Sequence, residues 1–205
     1  MNSKNFLTLG KKLWPLNRSI TGNGVNQTLK ILKSYNNKLK IIKFKSGKKV
    51  FDWTIPNEWK VNEAWIKDNN GKKIIDFEQN NLHLVGYSSS IKKKLLFKQF
   101  KNKLHFYKKQ PNAIPYVTSY YKKNWGFCLK HNDLKKFKGD KFLVEIKSSF
   151  KKNGKLNYGE LIIKGKSKKE ILISTYICHP YMANNELSGP ILSMSLINYF
   201  KQKKL

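Results

Sequence analysis

Residues 171–200 constrain the fold of this chain more than any other stretch. Residues 171–177 read ILISTYI, an apolar and β-branched run without alternation. Such a run is typical of a β-strand that is buried on both faces. A polar connection over residues 181–187 separates it from a second apolar segment, residues 191–200, which has helical length. The sequence therefore predicts a strand, a loop and a helix, as in an α/β fold with a parallel sheet.

The candidate functional residues lie at the ends of these two elements. His179 follows the predicted strand, and ligands of open α/β sheets bind outside the carboxyl ends of the strands. Ser188 is predicted to cap the helix, with Pro190 in its first turn. The elbow pattern G-x-S-x-G is absent around Ser188, so we do not interpret it as a nucleophile. Cys178 precedes His179, and successive side chains of a strand point to opposite faces. We therefore expect Cys178 to be a small core residue, unable to pair with His179 as nucleophile and base.

The charge of the chain first suggests a nucleic-acid partner. The 205 residues carry a formal net charge of +30, and 40% of them are hydrophobic, which is enough for a core. However, Arg18 is the one arginine among 42 basic residues, so the planar fork that reads guanine and phosphate is almost missing. The lysines are spread along the whole chain. We expect a solvated lysine surface and no specific nucleic-acid partner, with a nucleic-acid binder as a distant alternative.

The cysteines and the N-terminal residues help to predict the cellular compartment. Cys128 and Cys178 give no disulfide framework. A cysteine and a histidine three residues apart, Cys128 and His131, lack a second pair, so we interpret them as structural. The first residues lack the apolar region of a signal peptide, and no run approaches the ~20 apolar residues of a membrane span. The expectation is a cytoplasmic protein without a membrane span.

The rest of the chain divides by its local patterns. Residues 1–49 predict helix, turn, helix and strand, and the loop between the helices contains Arg18 and Ser19. This loop is either a plain connection or part of a site for an anionic group. Residues 51–114 predict short strands, including one over 82–87 and a hairpin at Asn69-Asn70-Gly71. Their aromatic residues are expected to be core. A further hairpin is predicted between residues 141–146 and 159–163.

Several strings resemble known families. His179 with residues 185–189 (NELSG) resembles the metal-binding segment of the co-catalytic zinc aminopeptidases. The longer string TYICHPYMANNELSGP, residues 175–190, resembles a bacterial aminopeptidase-like domain family of unknown function, whose members occur among cell-surface polysaccharide genes. Residues 13–22 (LWPLNRSITG) and 50–56 (VFDWTIP) match that family too.

The resemblance implies an α/β fold with an incomplete aminopeptidase-like (zinc exopeptidase) sheet-and-helix core, residues 1–49 and 115–205, around an inserted β-rich domain, residues 50–114. It also implies one or two zinc ions, with His179, Asn185 and Glu186 as the metal ligands. The expected activity is hydrolysis of a peptide or an amide-bearing small molecule. A non-catalytic binding or scaffold protein, linked to surface polysaccharide biosynthesis, is the alternative, and a homo-oligomer stays open.

The sequence departs from the zinc aminopeptidases at two positions. Their bridging aspartate corresponds to Asn185, and a further aspartate corresponds to Tyr181. A neutral amide bridges two cations poorly, and the nearest carboxylate is that of Glu186. One metal held partly by Glu186 and a two-metal site therefore remain open. The general base of those enzymes lies on later strands, so we expect it beyond Leu205 and interpret the chain as an N-terminal fragment that is inactive alone.

Overall fold

The computed structural model describes residues 3–203, with side chains from Phe6 onwards, so residues 1–2 and 204–205 of the predicted core lie outside the described part. The architecture is mixed α/β with small sheets. In chain order, the helices and strands are α1 (Ser3–Leu13), α2 (Asn23–Tyr35), β1 (Lys40–Lys45), β2 (Lys49–Val50), β3 (Trp53–Thr54), β4 (Glu58–Lys67), β5 (Lys73–Asp76), β6 (Ile91–Leu96), α3 (Phe97–Phe100), β7 (Leu104–His105), β8 (Phe127–Cys128), β9 (Lys141–Lys151), β10 (Lys155–Glu160) and α4 (Ser188–Lys203). Within residues 3–203, every helix is too short or too polar to cross a membrane.

The chain forms two compact units. The first combines Met1–Glu58 with Lys152–Leu205, and the second is Trp59–Lys151. The division predicted from the sequence, an insertion over residues 50–114 within a core, stays a prediction.

The first unit begins as the sequence predicts, with helix, turn, helix and strand. Strand β1 pairs antiparallel with β10 in a two-stranded sheet. Leucines on one side of α1 and α2 pack with apolar residues at the start of α4, because their spacing gives each helix an apolar face. This core consists of Leu9, Leu13, Leu32, Leu39, Leu187, Ile191 and Met194.

The second unit is built around a four-stranded sheet in the order β5-β4-β9-β6. The predicted hairpin at residues 69–71 is confirmed, since β4 and β5 pair antiparallel and Gly71 has the positive φ that the turn requires. Trp59 and Trp65 are buried, as expected of core aromatics. Four phenylalanine rings of the same unit pack against one another: Phe97, Phe100, Phe137 and Phe142.

Two predicted β elements are wrong. Residues 82–87 do not form a strand, because Asn81–His83 is a 3-10 turn and only isolated bridges follow. The hairpin between residues 141–146 and 159–163 does not form either. Strand β9 is flanked in its sheet by β4 and β6, whereas β10 pairs with β1. A turn does form at Lys152 and Asn153, but each strand finds its partner far away in sequence, which a local turn signal does not encode.

The predicted buried strand at residues 171–177 is also wrong as a description of this structure. The segment has no regular secondary structure, and Ile171 and Leu172 are 93% and 89% exposed. A strand exists only where a neighbour satisfies its backbone groups, and no strand within residues 3–203 pairs with this segment. The sequence pattern predicts that this segment is buried, but no described part of the chain covers it.

Candidate metal centre

Three side chains that can bind a metal converge after this open segment. Cys178, His179 and Glu186 each offer one ligand atom, and these atoms all lie within 4.8 Å of one another. Nδ1 of His179 is 2.7 Å from Oε1 of Glu186. The thiol Sγ of Cys178 is 3.8 Å from the same oxygen. A thiol, an imidazole and a carboxylate therefore face one small volume.

A wide helical turn brings Glu186 to this volume. Ala183–Leu187 forms a π-helical turn that leads directly into α4. Such turns are rare in proteins. Those that occur often lie at functional sites, because they redirect one side chain within a helix. Here the turn leaves Asn185 exposed and buries Glu186 completely. Tyr181 enters the turn with a φ of 51°, a left-handed conformation that is unusual for a bulky residue.

The carboxylate of Glu186 is only partly satisfied. Its Oε1 contacts His179, whereas its buried Oε2 has no hydrogen-bond partner among residues 3–203. A buried carboxylate oxygen without a partner is costly, by about 1–3 kcal/mol or more. A cation bound at Oε2 would remove this cost. The unpartnered oxygen is therefore the atom of the site at which a cation would remove the largest cost.

Arg18 supports the backbone of the site through hydrogen bonds. Its side chain is fully buried, with Nε donating to the carbonyl of His179 at 3.0 Å and Nη1 donating to the carbonyl of Leu13. Burial lowers the pKa of Arg18 to about 10, while Glu186 and Cys178 act in the opposite direction. The guanidinium thus stays charged at neutral pH. It holds the loop of His179 and adds a positive charge near Glu186.

The loop that carries Arg18 is fixed by a close backbone approach. A Cβ on Gly24, in the first turn of α2, would lie 2.0 Å from the carbonyl oxygen of Asn17. Only glycine allows this contact. Ser19, next in the loop, is buried as well. The loop is therefore more than a connection between helices, since its arginine donates to backbone carbonyls of two other segments. A site for an anionic group stays a prediction.

The protonation of His179 responds to its two neighbours. Hydrogen bonds with Cys178 and with Glu186 raise the pKa of His179 to about 10. The ring is thus protonated at neutral pH when no metal is present. Zinc binds the neutral imidazole, so a metal would have to displace this proton.

The structure brings together all three residues predicted as metal ligands, with Oδ1 of Asn185 3.3 Å from Nδ1 of His179. It adds Cys178, which the sequence argument missed. That argument assumed a strand through Cys178 and His179, but the segment is irregular, so the two neighbouring side chains interact. The sequence argument could not foresee that no strand pairs with this segment within residues 3–203. The predicted role of Ser188 is wrong, because its hydroxyl donates to the carbonyl of Asn184 inside the π turn and does not cap α4.

The donor types of the cluster fit zinc. Zinc in proteins is bound by cysteine sulfur, histidine nitrogen and carboxylate oxygen, and this cluster offers one of each. Cys128 offers no comparable site, since it is buried in the core and forms no such cluster within residues 3–203.

Comparisons with known proteins identify the family. The model of a domain of unknown function, DUF4910, matches residues 7–205. The chain belongs to this family. It is 45% identical over 182 residues to a Clostridium acetobutylicum protein named "Putative polysaccharide biosynthesis protein with aminopeptidase-like domain", and the match covers 89% of this chain and 42% of that protein.

A solved structure is similar as well. It is the crystal structure of a "putative peptidase" from Clostridium acetobutylicum, which matches with a TM-score of 0.93 and 42% sequence identity. The match covers 97% of this chain and 47% of the other. The chain of the DUF4910 family described here therefore spans less than half the length of both relatives.

Proposed function

We propose that this chain contributes metal ligands to the site of a zinc-dependent, aminopeptidase-like hydrolase that cleaves a peptide or amide bond. The observation that carries the proposal is the convergence of Cys178, His179 and Glu186, with Oε2 of Glu186 buried and without a hydrogen-bond partner in the part of the chain that the structure describes. The names of the two relatives, "putative peptidase" and "Putative polysaccharide biosynthesis protein with aminopeptidase-like domain", support the same class of reaction. The proposal includes the incomplete aminopeptidase-like core expected for residues 1–49 and 115–205.

The residues of the site divide the work by their chemistry. Glu186 would bind the ion through its buried carboxylate, and His179 would bind through its ring once the proton has left. Cys178 would add a thiolate, which favours zinc over magnesium or calcium. When bound, the zinc ion polarises the carbonyl of the substrate and activates water. Arg18 would keep the loop of His179 in position by its hydrogen bond to the carbonyl of that residue.

One zinc ion fits this chain better than two. Two cations a few ångströms apart need an anion between them. The position next to His179 that could bridge is Asn185, which is neutral and exposed, and the buried carboxylate of Glu186 already contacts the imidazole. The ligands of the described cluster therefore supply enough negative charge for one divalent ion only.

A second candidate is a binding or scaffold protein without catalysis, linked to surface polysaccharide biosynthesis. One observation favours it. The buried guanidinium of Arg18 attracts the carboxylate of Glu186, so it compensates part of that negative charge without a metal. In that case the His179–Glu186 contact would serve only to fix the loop.

Metal titration separates the two candidates. Co²⁺ reports its ligands spectroscopically, so we would titrate the whole chain with Co²⁺ and then displace it with Zn²⁺. We expect one ion per chain and a sulfur-to-cobalt absorption band that disappears in Cys178→Ser. Glu186→Gln and His179→Ala should each weaken binding at least about tenfold, since each removes one of three ligands. The matched controls, Glu170→Gln and His131→Ala, lie outside the cluster and should bind as the unmodified chain does.

The scaffold candidate predicts a different result. A chain that binds no Co²⁺ or Zn²⁺, or that binds equally well after Glu186→Gln, would contradict the zinc site. Hydrolysis of aminoacyl amides by the full-length C. acetobutylicum relative, tested with and without a chelator, would show whether such a site is catalytic in this family.

A further inference from the structure

Two neighbouring donors in the loop before α2 are buried without an acceptor. Nη2 of Arg18 and the hydroxyl Oγ of Ser19 both lack a hydrogen-bond partner within residues 3–203. The two residues are only 1% and 4% exposed, so solvent is almost excluded from them. A buried donor that has lost water and gained no acceptor is costly to the folded state. The loop therefore offers hydrogen bonds to an acceptor that this part of the chain does not provide.

The start of α2 adds further donors beside the loop. Gly22 is the N-cap residue of α2, so no side chain caps the first N–H groups there, and the first turn contains no acidic residue. These N–H groups form the positive end of the helix. The first turn lies directly against the loop, since a Cβ on Gly24 would be 2.0 Å from the carbonyl oxygen of Asn17 and 2.8 Å from the backbone nitrogen of Arg18. The donors of the loop and of the helix thus belong to one small region.

The charge of this region favours an anion over a water molecule. The guanidinium of Arg18 forms no direct hydrogen bond with Glu186, because Oε2 of Glu186 lacks a partner within residues 3–203 and Oε1 contacts His179. Burial lowers the pKa of Arg18 more than the charge of Glu186 raises it, so the carboxylate balances the buried charge only in part. A water molecule could accept the hydrogen bonds, but an anion would also balance the charge.

We propose that Arg18 and Ser19, together with the first turn of α2, bind a small monovalent anion of the size of chloride. The size follows from the burial of both donors, which leaves little room for a larger ligand. Divalent oxyanions such as sulfate carry more volume and more charge than one buried guanidinium can balance. The bound anion would fix the plane of the guanidinium, whose Nε donates to the carbonyl of His179. It would therefore act as a structural ion for the loop of His179.

Bromide tests the site directly, because it replaces chloride and scatters anomalously. Crystals of the whole chain would be grown in sodium bromide with a chelator, and diffraction data would be collected at the bromine absorption edge. We expect an anomalous peak within hydrogen-bond distance of Nη2 of Arg18 and Oγ of Ser19. A water molecule without anomalous signal at this place would overturn the proposal. Bromide found beside exposed lysines alone would be an adventitious ion only and would overturn it as well.

Unfolding in urea tests the site in solution. Chloride would be replaced stepwise by gluconate at constant sodium concentration, because gluconate has the same charge but is too large for the site. We expect the midpoint of unfolding to rise with chloride and to saturate, as it does when a ligand binds the folded state. Ser19→Ala should raise the chloride concentration that gives half of this effect at least about fivefold, since it removes one donor.

The matched control is Ser34→Ala. Ser34 lies on α2, and its exposed hydroxyl donates to the carbonyl of Ile31. This variant should respond to chloride as the unmodified chain does. Chloride that associates loosely with surface lysines would shift all three proteins alike, so an equal response of Ser19→Ala and the unmodified chain would contradict the site. Equal midpoints of the unmodified chain in chloride and in gluconate would contradict it too.

Both experiments are made with a chelator present, so their outcome is independent of the proposed zinc site. Failure of the anion site would leave the cobalt titration unaffected. A chain that binds no Co²⁺ or Zn²⁺ could, conversely, still bind the anion at Arg18.

Discussion

Nε of Arg18 donates a hydrogen bond of 3.0 Å to the backbone carbonyl of His179, across 161 positions of sequence. The same guanidinium donates to the carbonyl of Leu13 at the end of α1. A planar group with several fixed donors can join two backbone segments in this way, whereas an ammonium group on a flexible stem is a poorer substitute. The one arginine of a lysine-rich chain is thus found where its geometry is used.

Arg18→Ala should destabilise the chain by about 3 kcal/mol, because it leaves buried carbonyls unpaired and the buried carboxylate of Glu186 without its nearby cation. Unfolding in urea, followed by circular dichroism, measures this loss. Arg18→Lys should recover only part of it.

A double-mutant cycle shows whether Arg18 acts through Glu186. The decrease in the free energy of unfolding of Arg18→Ala/Glu186→Gln should be smaller than the sum of the two single decreases by at least about 1 kcal/mol. The reason is that Glu186→Gln removes the buried charge that Arg18→Ala leaves without a counter-ion. Additive losses would mean that the two side chains are energetically independent.

Gly24→Ala should also destabilise the site loop, by about 1–3 kcal/mol, since its Cβ would overlap the backbone of Asn17 and Arg18. The backbone cannot move aside as a side chain can. Gly165→Ala is the matched control, because nothing lies within 4 Å of its Cβ. We expect the control to leave the free energy of unfolding within about 0.5 kcal/mol of the original value. Equal stability of the two variants would contradict the packing described for Gly24.

The sequence predicts the fold best where a pattern is local. Helices α1 and α2, strand β1 and the hairpin at Gly71 follow from apolar spacing and turn chemistry within a few residues. The pairing of β10 with β1 is different, because it joins Lys45 to Lys155 across the whole second unit of the sequence. Nothing in a local pattern selects that partner over the neighbouring β9.

The candidate site shows the same limit. His179, Asn185 and Glu186 were identified by a motif, and the structure places them together. Cys178 was excluded by assuming a regular strand, in which its side chain would point away from His179. Without pairing strands among residues 3–203 the backbone is irregular, and the two side chains meet. The apolar pattern of residues 171–177 describes a sheet, and whether that sheet forms depends on residues outside the pattern.

The two cysteines should differ strongly in reactivity. Cys178 is partly exposed, whereas Cys128 is fully buried and burial raises the pKa of its thiol to about 12. Because the thiolate is the reactive form, one thiol per chain should be alkylated rapidly under native conditions. Mass spectrometry should locate the label at Cys178, and Cys178→Ser should abolish the rapid reaction. Rapid labelling of Cys128 in the folded chain would contradict its burial.

The stability of the second unit should decrease on mild acidification because of His83. This ring is buried, its Nδ1 lies 2.7 Å from the carbonyl oxygen of Cys128, and burial lowers its pKa from 6.5. The unfolded chain then binds the proton more readily than the folded one. The stabilisation is complete above pH 6.5 and is lost as the pH falls from there through the lower pKa of the folded state.

Urea unfolding at pH 7.5 and at pH 5 measures this effect, in a range above the ordinary pKa of carboxylates. Between these two values the change in stability of the unmodified chain should be more unfavourable than that of His83→Gln, because glutamine has no proton to bind. His179, whose pKa is raised, acts in the opposite direction and contributes equally in both proteins. His131→Gln, outside this buried contact, should behave as the unmodified chain. Since burial also lowers the pKa of His105, some pH dependence should remain in His83→Gln. An unchanged pH dependence in His83→Gln would show that the ring binds its proton equally well in the folded and unfolded chain.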